Sequence, residues 1–130
     1  MADAIDPWPT EDIPDNDLLF MRAHRNYFED DGSLGIGVFR NRPTEQDGMS
    51  TDWEKYSTPQ EARDRARTPR DNAILKMVAG DVRRIPSQTV VHEPDPHNRA
   101  HTEVFGDKKA TPEVRVLFGR IFEYAIRLDE

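Results

Sequence analysis

The chain predicts an α+β fold, a mostly antiparallel sheet of four to six strands with two or three helices. Three observations predict it. Short apolar runs with two-residue alternation recur at 18–28, 89–94 and 100–106, bounded by turn residues. A helix start stands at Thr58, where Pro59 follows and Glu61 lies three places on. After Thr111-Pro112-Glu113, apolar residues recur at helical spacing through Ile126.

Taken in order, residues 1–17 read as an acidic, proline-containing tail, extended or disordered, ahead of a single domain at 18–130. LLFMRAHRNYF (18–28) reads as the first strand, with Leu18, Phe20, Arg22, His24 and Asn26 on one face. Leu19, Met21, Ala23, Arg25 and Tyr27 take the other. DDGSLG turns the chain, and GIGVFRN (35–41) is expected to pair back as a hairpin strand. MSTDWEKY (49–56) is a further strand candidate, followed by a helix over 59–67 that stops near Thr68-Pro69. NAILKMVAG (72–80) fits a buried strand or the start of a helix through DVRRI. TVVHEP (89–94) and AHTEVFG (100–106) are strands flanking DPHNR. The last helix carries Val114, Leu117, Phe118, Ile121, Phe122, Ala125 and Ile126 as one stripe, to be packed across the sheet. Glu113 near its start and Arg127 near its end suit the helix dipole.

Composition narrows the function classes. A chain of 130 residues with 35% hydrophobic and 33% charged residues has room for one thinly filled core. Of its net charge of −7, the six acids of residues 1–17 account for all but one unit, so the body is nearly neutral. Long-range repulsion argues against general coating of DNA, while a local basic patch remains free to bind a phosphate. With no cysteine, thiol catalysis, disulfides and zinc-thiolate sites are excluded. No membrane span and no signal peptide is legible, so a cytoplasmic protein is expected, and nothing in the sequence calls for a cofactor.

The densest chemistry lies in HEPDPHNRAHTE (92–103), which holds three of the four histidines. Histidine changes charge near neutral pH, which suits it to proton transfer. Strand alternation puts His101 and Glu103 on one face, where the carboxylate would orient the imidazole. His92 ends the preceding strand and is expected at the same end of the sheet, with Asn98 in the turn between. These residues suggest an acid–base pair or an anion pocket, with His101, Glu103 and His92 in catalytic roles. The bland reading is that they satisfy backbone groups in a proline-bent loop. His97 and His101 have the spacing of a zinc-binding helix, but Pro94 and Pro96 oppose a helix there, so no metal ligands are assigned. Arg22 and His24 share a face of the first strand, and an arginine there suits a phosphate or carboxylate. The FRNRP run (39–43) and Ser50-Thr51 add hydrogen-bond donors. ARDRARTPR (62–70) carries four arginines, for phosphates, nucleic acid, an acidic partner or simply solvent. GSLGIG (32–37) does not open a helix and fails as a dinucleotide loop.

GMSTDW (48–53), VVHEP with N-R-AH (90–101) and FGDKK (105–109) resemble motifs of a set of small uncharacterised bacterial proteins. A second resemblance is to the ADP-ribosyltransferases, which carry an arginine or histidine on the first strand, a serine-threonine strand start and a glutamate on a late strand. Arg22 or His24, Ser50-Thr51 and Glu103 stand in that order. The resemblance implies binding of a nicotinamide dinucleotide by the first two and catalysis by Glu103. The family's acidic residue or glutamine two places before the glutamate is replaced here by His101.

Two function classes follow. In one, Arg22, His24, Ser50, Asn98, His92, His101 and Glu103 form a pocket for a phosphate-bearing ligand, a nucleotide or RNA end, with or without catalysis. In the other, the protein is a non-enzymatic interaction module, antitoxin-like or an accessory subunit, docking through residues 1–17 and 59–67.

Overall fold

The computed structural model describes residues 8–43, 48–109 and 112–130. Among these residues it is α+β, with three helices and one six-stranded sheet in which every neighbouring pair is antiparallel. The strands are β1 (Leu18–His24), β2 (Met49–Trp53), β3 (Asn72–Val78), β4 (Thr89–His92), β5 (His101–Phe105) and β6 (Glu123–Ile126). Their spatial order is β4-β5-β2-β1-β3-β6. The helices are α1 (Pro59–Asp64), α2 (Ala79–Arg84) and α3 (Pro112–Ile121).

Alternation along each strand sorts the sheet into two unlike faces. Leu19, Met21 and Ala23 of β1 share one face with Ala73, Leu75 and Met77 of β3, their register partners. Val82 of α2, Val114 and Phe118 of α3, and Val38 and Phe39 close over them as the main core. Phe39 stacks on Phe118 with ring centroids 5.3 Å apart, a geometry that adds to simple area burial. The other face carries a smaller apolar cluster, Phe20 and Ile74 under Ala62 of α1. Because α1 is short, it covers only part of that face, and the rest is polar.

Several local choices explain the elements. Thr58 and Glu61 close a reciprocal capping box at the start of α1, with Pro59 in the first turn. The 72–80 run resolves as both of its options in succession: β3 to Val78, then α2 from Ala79. Residues 8–17, set apart by their acidity, are extended but laid against the domain. Ile13 is buried in the main core, and Asp15 and Asp17 accept from the backbone N–H groups of Gly80 and Ala79.

Four expectations are corrected. The first strand stops at His24, and Arg25–Tyr27 form a 3-10 turn capped by the His24 side chain. The 35–41 segment forms no hairpin strand; Ile36–Val38 are a single 3-10 turn. Val38 and Phe39, although adjacent, both point into the main core, which strand alternation does not allow. Helix α1 ends at Asp64, three residues short of the expected 67. The final helix ends at Ile121, and Glu123–Ile126 become an edge strand on β3. Without β6, the outer row of β3 backbone groups would lie unpaired beside buried side chains.

Candidate functional site

The polar half of the second face opens as a cleft of about 390 Å³ across β1, β2 and β5. Register explains its lining. Phe20 pairs with Asp52, Asp52 with His101, and Ser50 with Glu103, so these side chains share one side of three adjacent strands. Arg22 and His24 continue that face along β1, and Asn72 sits opposite His24 on β3. Arg40, Arg42, Arg65, Asp95 and Asn98 complete the rim from loops.

The charges are arranged in two ways. Glu103 is buried, with 1% of its side chain exposed, and forms an ion pair with Arg42. Its other oxygen lies 3.4 Å from Ser50 Oγ and 3.7 Å from His101 Nε2. Asp52, also buried, accepts from Arg65 Nη1 at 2.9 Å and from Asn98 Nδ2 at 2.8 Å. That carboxylate thus ties β2 to the segment after α1 and to the 95–98 turn, fixing the width of the cleft. Buried carboxylates are tolerable only when compensated in this way.

Arg22 and Arg40 differ from those paired cations. Arg22 gives one N–H to the Ala62 carbonyl at 3.2 Å, which aims the guanidinium, and among the described residues its remaining N–H groups have no acceptor. Arg40 lies over the Tyr27 ring at 5.9 Å and has no carboxylate partner among the described residues. A cleft of this volume with two uncompensated guanidinium groups favours an anion. His24 Nδ1 accepts from the Asn26 backbone, which fixes its ring at the mouth.

Of the residues selected from the sequence, Arg22, His24, Ser50, Asn98 and His101 line this cleft, and Glu103 lies beneath it. The structure does not bring His92 to them. His92 pairs with Thr102, not His101, so alternation sends it to the opposite face. It is buried there, accepting from the Glu11 N–H at Nδ1 (3.0 Å) and donating from Nε2 to the Arg99 carbonyl (2.7 Å). Thr51 also turns away, its hydroxyl bonded to the Thr102 carbonyl at 3.0 Å. His97 is an exposed turn residue, and among the described residues no three acidic or histidine side chains converge to hold a metal.

Sequence reasoning overlooked Asp52, and it named the runs holding Arg42 (39–43) and Arg65 (62–70) without placing either arginine in this cleft. Asp52 was legible, being two places from Ser50 on the same strand. Arg42 and Arg65 come from irregular segments, whose side-chain directions follow no sequence period.

No helix among the described residues is long and apolar enough to cross a membrane. No family model, curated protein or solved structure matches the chain.

Proposed function

We propose that the cleft binds the phosphate of a nucleotide, with Arg22 and Arg40 holding the anion and His101 and Glu103 acting on the bound ligand. One observation carries this reading: Arg22, Ser50 and His101, dispersed over more than half the chain, line a single cleft on one face of three neighbouring strands, with Glu103 beneath them on the same face. In the catalytic form of the reading, His101 transfers the proton and Glu103, 3.7 Å away, orients it. Arg42 compensates the buried Glu103 charge and keeps that carboxylate in place. The residue order shared with the ADP-ribosyltransferases makes a nicotinamide dinucleotide the first ligand to test; Glu103, 1% exposed beneath the cleft, acts on that ligand through His101.

The interaction-module reading has less to draw on. Arg63 is buried, giving its N–H groups to the Pro69 and Glu130 carbonyls at 3.0 and 2.9 Å. Arg65 faces the cleft, and residues 8–17 are engaged with the domain. Of the arginine helix and its continuation, only Arg67 and Arg70 remain exposed without an assigned task.

Calorimetric titration of the full chain with ADP and with nicotinamide adenine dinucleotide tests the proposal. Arg22→Ala is expected to weaken binding roughly 10- to 100-fold, the worth of charge-assisted hydrogen bonds to one anion. Its melting temperature should stay near that of the parent. Failure of the parent protein to bind either nucleotide, or an unchanged affinity in Arg22→Ala, would overturn it.

A further inference from the structure

A second recess of about 430 Å³ adjoins the cleft, lined by Trp8, Thr10, Glu93, Pro94, Asp95 and His101. Asp95 and His101 belong to both cavities, so the two meet at the imidazole. Their chemistry is opposite. The cleft is edged by arginines, whereas the recess holds two carboxylates, an indole and a proline ring. Glu93 is exposed and has no side-chain partner among the described residues, while one Asp95 oxygen accepts from the His97 N–H at 2.8 Å. A phosphate is repelled from this recess. A flat ring bearing an amine suits it, stacking on the indole and donating to a carboxylate.

Trp8 is held ready for that contact. The Arg99 guanidinium lies 4.6 Å from the Trp8 ring centre and 4.0 Å from that of Tyr56, forming a layered stack. Glu11 anchors the same segment through Lys55 Nζ at 2.6 Å, through the Tyr56 hydroxyl, and through its own N–H on His92. A stacking surface fixed before binding loses little conformational entropy when a ligand arrives.

We infer that the Trp8 recess is a second subsite, taking an amine-bearing nucleobase joined to the nucleotide in the cleft, so that the ligand carries two bases and not one. This rests on the nucleotide reading of the cleft and deepens it. The two bases are linked either 5′-to-5′ through a diphosphate, as in a small molecule, or 3′-to-5′, as at the end of an RNA. Both present the same ring to Trp8.

The test compares three probes on the full chain: ADP, diadenosine 5′,5′-diphosphate and the 3′,5′-linked dinucleotide pApA. One two-base probe should bind on the order of ten-fold or more tighter than ADP, from the stacking of a second base. Which of the two gains identifies the linkage. Trp8→Ala should remove that gain and leave ADP affinity unchanged, and Trp8→Phe should restore most of it. Arg22→Ala should weaken all three. ADP binding with no gain from either two-base probe, or a Trp8→Ala loss shared equally by ADP, would overturn the subsite alone. Absence of binding by all three to the parent protein would overturn the cleft reading and the subsite with it.

Discussion

Replacing His92 by alanine separates the structural histidine from the site histidine. The His92 imidazole is 1% exposed and packs edge-on to Trp53 at 5.0 Å and against Tyr56 at 6.1 Å. Truncation removes those aromatic contacts, each worth about 0.5–1.5 kcal/mol, and leaves a cavity. It also strands the Arg99 carbonyl and the Glu11 N–H, and a buried polar group without its partner costs roughly 1–3 kcal/mol. These effects overlap, and the expected loss is about 3–5 kcal/mol, a large share of the roughly 5–15 kcal/mol of a typical domain. His101→Ala removes only a partly buried ring lying 3.7 Å from the Glu103 carboxylate and should cost about 1 kcal/mol or less. Urea unfolding followed by circular dichroism at one pH, with the slope unchanged, measures both. A His92→Ala loss within 1 kcal/mol of that of His101→Ala would refute this division of roles.

Two further outcomes follow from particular contacts. Burial pushes the Lys108 amine down to about 8, against the opposing fields of Glu103 and Asp107. In the unfolded chain it titrates near its ordinary value of about 10.4. Between those values the unfolded state binds more protons, so stability rises with pH; below about 8 the cost of burying the charge is fully present. The stability of the parent relative to Lys108→Met should therefore climb by about 2–3 kcal/mol from pH 8 to pH 10.5, and a flat difference would contradict it. At Gly106, φ is +133° and an added Cβ would lie 2.3 Å from the Ser87 carbonyl oxygen. Gly106→Ala should cost more than about 2 kcal/mol, whereas Gly37→Ala, with nothing within 4 Å, should be neutral or mildly stabilising in thermal melts.

The parts of this fold that were legible are those governed by a short period. Alternation placed Arg22 beside His24 and His101 beside Glu103, and the Thr58 capping box located α1. Alternation also held the answer for His92, once its partner across the β4–β5 pair was Thr102. The error there was to equate the same end of a sheet with the same face. The 35–41 run misled because its glycines and apolar residues suit a strand, while packing under Phe118 requires Val38 and Phe39 to point inward together. The C-terminal stripe misled differently. Its spacing continues as a helix through Ile126, but the unpaired edge of β3 recruits Glu123–Ile126 for hydrogen bonding. Tyr124 then turns to the main core and Ile126 to the smaller cluster. Long-range pairing of this kind leaves no local trace.

The central claim is that one face of β1, β2 and β5 receives a nucleotide. Backbone amide chemical shifts, recorded on the full chain as ADP is added, test it most directly. The account predicts saturable shifts concentrated at Arg22, His24, Ser50, Asp95, Asn98 and His101, with Arg67 and Arg70 unmoved. Shifts gathered around Arg67 and Arg70, or none at all, would contradict it.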